Sequence, residues 1–128
     1  MSIKIDVSFG ELLDKLTILE IKFERIDDEE KIANIKRELE VLTNTWKTSG
    51  VDVASVDTER IALKHINESL WDIEDAIRRQ EAANSFGTEF VSLARNVYKT
   101  NDKRSEVKRL VNEKLGSTLI EEKSYQPY

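Results

Sequence analysis

An all-α fold is predicted by three features of the sequence. Helix breakers are rare and fall at the ends of periodic stretches: the only proline is Pro127, and the four glycines are Gly10, Gly50, Gly87 and Gly116. Apolar residues recur at steps of three and four along nearly the whole chain, the spacing of one helix face. The single alternating stretch, Ile3, Ile5 and Val7, is too short to found a sheet. These features predict one domain holding a bundle of about five helices, at about 9–26, 29–47, 58–83, 88–100 and 103–115. A chain of 128 residues buries roughly two-thirds of its unfolded surface, so it folds without disulfides or a structural metal.

Residues 3–7 are expected to lie extended across the bundle or to pair as a strand with the tail near Leu119–Ser124. Ser8 and Glu11 have the spacing of a capping box, with each side chain meeting an orphan amide of the first turn. Helix 1 follows, with Phe9, Leu12, Leu13, Leu16, Leu19, Phe23 and Ile26 as its core stripe. Two features depart from that stripe. Glu20 projects onto the apolar face, where a carboxylate needs a partner or a path to water. Ile18 and Ile21 project onto the opposite face, as an apolar contact patch. Asp27 or Asp28 caps helix 2, in which Ile32, Ile35, Leu39, Leu42 and Trp46 keep one face. The short break between helices 1 and 2 makes them an antiparallel hairpin.

Residues 47–57 form the one clear loop, and Asp57 is expected to cap helix 3. Ile61–Gln80 is the stretch around which the other helices are expected to pack. Its seam is Leu63, Ile66, Leu70, Ile73 and Ile77, and along one edge runs a second line, Asn67, Trp71, Glu74 and Arg78. His65 points away from the seam as a surface residue. Helix 4 buries Phe90, Leu93, Ala94 and Val97; Asn101-Asp102 is expected to break it and to cap a fifth helix carrying Val107, Leu110, Val111 and Leu115. Gly116 has the character of a helix C′ residue, and the tail after it is either docked or frayed.

Composition excludes several chemistries. With no cysteine and one histidine, thiolate nucleophiles, disulfide frameworks and multi-histidine metal sites are ruled out. No signal peptide or membrane-length apolar run is present, so a cytoplasmic protein without membrane contact is expected. A formal net charge of −5 argues against nucleic acid as a partner. Between Arg95 and Lys114, however, seven cations face three acids. That run is either a solvated helical face or a patch for an acidic or phosphate-bearing partner.

The strings GELLDKLTILEIKFERI (10–26), LWDIEDAIR (70–78), LARNVYKTND (93–102) and IEEKSY (120–125) resemble a functionally uncharacterised family of short bacterial and bacteriophage proteins. The resemblance covers nearly the whole chain and is least in the loop at 47–57. It implies a helical fold and a prokaryotic or phage origin, and no activity. The polar positions that match the family pattern are Asp14, Lys15, Thr17, Glu20, Asn67, Trp71, Glu74, Asp75, Arg78, Asn101 and Asp102.

The reading preferred from sequence is a small binding or assembly module. Its candidate ligand- or partner-binding residues are Lys15, Thr17, Glu20, Asn67, Trp71, Glu74 and Arg78. Trp71 offers a flat stacking surface, Arg78 a planar fork, and Asn67 and Glu74 directional hydrogen bonds, facing Thr17 and Glu20 across the helix 1–helix 3 contact. The competing reading makes this line a buried network, with Glu20 or Glu74 paired to Arg78 or Lys15 to fix helix register. The alternative function is a Mg²⁺-dependent, nucleotide-handling bundle enzyme of the pyrophosphohydrolase kind. Its Glu-x-x-Glu signature is missing, and Glu11/Asp14, Asp72/Asp75 and the i,i+4 pair Glu20/Glu24 are the nearest substitutes. A mutase-like site built from Lys15, Lys22, Arg25 and Arg78 ranks lower. No catalytic residue, metal ligand or cofactor is assigned. Ile18 and Ile21 suggest a homo-oligomer, with a dimer favoured.

Overall fold

A computed structural model describes residues 1–128. It is all-helical, with four α-helices and one 3₁₀ turn: α1 (Phe9–Arg25), α2 (Glu29–Lys47), the 3₁₀ turn Val53–Val56, α3 (Asp57–Ala82) and α4 (Thr88–Leu115). The expected fourth and fifth helices are one helix of 28 residues. Asn101-Asp102 does not break it because Asn and Asp each cost a helix interior only about 0.7 kcal/mol. Their side chains also bond away from the backbone amides: Asn101 accepts from Arg104, and Asp102 accepts from the Tyr128 hydroxyl.

The predicted helix ends are met in part. The Ser8 hydroxyl accepts from the Glu11 amide at 3.1 Å, but Glu11 turns its carboxylate to Lys108, so the box is half formed. Asp28 caps α2, accepting from the Lys31 amide at 2.9 Å. Asp57 does not cap α3 but is its first residue, entered from the 3₁₀ turn with no side-chain cap. Gly116 closes α4 at φ 66°, the left-handed conformation glycine adopts without cost.

The core forms where the first half of α1, the end of α2, the 3₁₀ turn, the start of α3 and the end of α4 meet. Leu12, Leu13, Leu16, Trp46, Val56, Leu63 and Val111 are buried there, with Leu39 and Leu42 packed against them. Trp46, near the end of α2, meets residues near the start of α1, so the two helices run antiparallel as expected. The hub, however, is α1 and not α3. α1 packs against each of the other three α-helices and buries eight of its 17 residues, whereas α3 buries only Glu59, Leu63 and Asn67. A central helix has no solvent face of ordinary width. Ile21 is therefore 1% exposed, and Ile18 is half-buried, which removes the outer patch read from their spacing. Phe23, assigned to the core stripe, is instead 45% exposed.

Gly10 sets how closely α1 approaches α4. A Cβ there would lie 2.4 Å from the Lys108 carbonyl oxygen, and the Gly10 amide donates to Asn112 Oδ1 at 2.7 Å. One of α1's orphan first-turn amides is thus satisfied by the neighbouring helix. Residues 1–7 form no strand, and Ile3 and Ile5 are exposed. The tail does not pair with them. It runs back along α4 through Lys108–Glu121, Arg109–Glu122 and Tyr128–Asp102. Lys123 and Lys108 bond the Glu121 carboxyl and hold it down at about 2.

Candidate functional site

α1 carries a second buried line beside its leucines: Gly10, Asp14, Thr17 and Ile21, at steps of four, three and four. Glycine permits close approach, and the two polar residues face α3 and α4. Asp14 is 1% exposed. Arg104 clamps it, with Nε 3.1 Å from each carboxylate oxygen and Nη2 2.7 Å from Oδ2. Asn67 Nδ2 donates to Asp14 Oδ1 at 2.8 Å and to Thr17 Oγ1 at 3.0 Å, and the Thr17 hydroxyl donates to the Asp14 carbonyl at 2.8 Å. Because the Thr17 proton is spent on that carbonyl, its oxygen must accept, which fixes the orientation of the Asn67 amide. The Asn67 carbonyl oxygen is left without a protein partner.

Lys108 extends the network. Its Nζ lies 2.7 Å from Glu11, 3.0 Å from Glu121 and 4.0 Å from Asp14. Burial pushes the ammonium pKa down, but Glu11, Glu121 and Asp14 outweigh it, and the net shift is upward.

Asn67 and Arg104 of this network form the floor of a cleft of about 410 Å³ between α1, α3 and α4. Ile18 and Ile21 come from α1, Asn67, Leu70, Trp71, Glu74 and Asp75 from α3, and Asn101 and Arg104 from α4. The size falls within the range of small-molecule sites. On the far side of Asn101 and Arg104 lies a second, more polar hollow of about 310 Å³, walled by Glu121, Lys123 and Tyr125 of the tail.

Of the residues proposed from sequence, the structure brings Asn67, Trp71 and Glu74 into the cleft, with Thr17 directly beneath Asn67. The other three lie elsewhere. Lys15 is exposed. Glu20 faces the start of α3, where it pairs with Arg60 and with Lys64 at 3.8 Å. Arg78 is largely exposed and meets only Glu74, 3.4 Å away on the same helix. The buried network expected around Glu20 or Glu74 is built on Asp14 and Arg104 instead. Sequence reasoning missed Arg104 as its partner. The available signal was the line Gly10-Asp14-Thr17-Ile21, which marks a second packed face.

Four of the seven cations between Arg95 and Lys114 are spent on the chain's own carboxylates: Arg104 on Asp14, Lys108 on Glu11 and Glu121, Arg109 on Glu113 and Glu122, and Lys114 on Glu59. No group of three or more His, Asp or Glu side chains is placed to hold a metal ion. No helix is long and apolar enough to cross a membrane.

A model of a family of unknown function, DUF6165, matches residues 3–128. No curated protein and no solved structure matches the chain. Since the match spans nearly all of its length, the chain belongs to the DUF6165 family.

Proposed function

We propose that the chain is a binding module of the bacterial or bacteriophage cytoplasm whose ligand occupies the cleft between α1, α3 and α4. The observation that carries this reading is the contrast between floor and wall. The floor is saturated but for one atom, the Asn67 carbonyl oxygen: Asp14, Asn67 and Arg104 hold one another in place. The wall is not, since Asp75 and the Trp71 indole N–H make no hydrogen bond within the chain, and Glu74 makes only its surface contact with Arg78. Polar groups left free on a preorganised frame are available for recognition at little reorganisation cost. The Mg²⁺-enzyme alternative lacks such support, because Asp72 turns outward to Arg25 at 2.6 Å and leaves Asp75 as the only cleft carboxylate of that pair.

A thermal-shift panel of small amines, carboxylates, sugars and nucleosides tests the cleft. A ligand present at a hundred times its Kd adds about 2.7 kcal/mol, a rise of several degrees for a domain of this size. The shift is expected in the wild type and lost in Trp71→Ala. A shift of equal size in the variant would place the ligand elsewhere.

A second observation supports self-association. No residue from 68 to 107 is buried, although this stretch holds Leu70, Ile73, Ile77, Phe90, Leu93 and Val97. The outer halves of α3 and α4 pack on each other, and two helices alone close only part of their apolar stripes. The partner that fits is a second copy. A two-fold axis that sets the outer halves of α3 and α4 against those of the partner closes these stripes and completes a four-helix bundle. Sedimentation velocity at tens of micromolar is expected to show a dimer. A wild type that sediments only as monomer contradicts this reading.

A further inference from the structure

We infer that the cleft selects a small organic cation, an alkylammonium or guanidinium group on a short apolar body. The inference rests on the reading of the cleft as a binding site, and it follows from the inventory of what the cleft offers. Its free acceptors are the Asn67 carbonyl oxygen, whose amide protons are spent on Asp14 and Thr17, and the carboxylates of Glu74 and Asp75, whereas its free donors, the Trp71 indole N–H and the Asn101 amide, are neutral. Its one cation, Arg104, is already neutralised by Asp14 behind it. Glu74 and Asp75 therefore leave the cleft negative. Arg78 offsets only part of this, being 79% exposed and 3.4 Å from Glu74, the kind of surface pair that contributes little in water.

The remaining charges nearby do not reverse that sign. Arg25 stands 5.8 Å from the Trp71 ring but is held by Asp72 at 2.6 Å and Glu68 at 3.8 Å. Lys108 is engaged by Glu11 and Glu121. An anion entering here would meet two carboxylates and only neutral donors, the Trp71 indole and the Asn101 amide, so phosphate-bearing and dicarboxylate ligands are disfavoured. A cation would meet the carboxylates of Glu74 and Asp75 along one wall, together with Trp71, whose ring attracts positive charge through its quadrupole and already has Arg25 5.8 Å from its centre. The apolar side chains of Ile18 and Leu70 suit a short carbon chain.

The chain's two tryptophans make the test direct. Trp71 lines the cleft, whereas Trp46 is 3% exposed in the core. Tryptophan emission is followed while n-butylammonium, agmatine and spermidine are added at constant ionic strength, with butyrate as the anionic and n-butanol as the neutral counterpart. A saturable response to the amines alone is expected, weakened at least tenfold in Glu74→Gln/Asp75→Asn. Because the chain is acidic, with a net charge of −5, Glu38→Gln/Glu40→Gln on α2 serves as the control. It removes the same charge away from the cleft and is expected to bind as the wild type does. Equal weakening in both double variants would reveal diffuse attraction and overturn the inference. Butyrate or butanol binding as tightly as butylammonium would overturn the ligand class and leave the cleft as a site. No saturable response from any compound would overturn both. An end-blocked lysine peptide that outcompetes agmatine would overturn the small-molecule source.

Discussion

Asp14→Ala is expected to cost about 3 kcal/mol of folding stability, near the lower end of the range for breaking a buried ion pair. The side chain of Asp14 is 1% exposed, whereas that of its partner Arg104 is 29% exposed. Truncation therefore strands a guanidinium that can still reach some water, which keeps the loss from the top of the range. Asn67 also loses one acceptor for its amide, and Lys108 loses a nearby negative charge. Asp14→Asn keeps the shape and one acceptor oxygen, so a smaller loss of about 1–2 kcal/mol is expected. Urea unfolding checks both values, with the midpoint moving and the m-value unchanged. An Asp14→Ala variant as stable as the wild type would show that the clamp is not what joins α1 to α4.

Gly10→Ala is expected to be almost as damaging, at about 3 kcal/mol, the upper end of what overpacking a core costs. In an exposed helix the same change would gain about 1 kcal/mol of propensity. Here the new methyl would lie 2.4 Å from the Lys108 carbonyl oxygen and 3.0 Å from Asn112 Oδ1. The first of these is backbone of another helix, so relief requires α1 and α4 to separate, and separation stretches the Asp14–Arg104 clamp one turn away. Removing the Asn112 side chain does not release the backbone contact. Gly10→Ala/Asn112→Ala is therefore expected to be less stable than either single variant. A double variant no worse than Gly10→Ala would move the clash from the Lys108 backbone to the Asn112 side chain.

The helices were legible because their signals are local. Ser8, Asp28 and Gly116 act at their own element ends, and the steps of three and four give every helix of the bundle. The unbroken α4 was not legible, because Asn101-Asp102 has the chemistry of a cap. Whether it acts as one depends on Arg104 and on Tyr128, and the latter sits 26 residues further on. The hub was misjudged for a related reason. Helical spacing reveals one apolar stripe, but α1 buries a second face lined by glycine, aspartate and threonine, residues that read as solvent-facing. From spacing the cleft was legible only along α3, where Asn67, Trp71 and Glu74 share an edge, and Asp75 and Asn101 entered through the family resemblance alone. Its other walls, Asn101 and Arg104, come from a helix whose packing no sequence spacing specifies. Lys15, Glu20 and Arg78 entered the candidate set by the same edge and by family resemblance, yet they face elsewhere.

The cleft is tested most directly by the indole N–H cross-peaks of the protein in a ¹H–¹⁵N spectrum, of which there are two, one for each tryptophan. On titration with agmatine, the Trp71 indole is expected to shift and saturate, while the Trp46 indole in the core stays in place. If both peaks stay fixed, or if Trp46 alone moves, the cleft between α1, α3 and α4 is not where this protein meets its ligand.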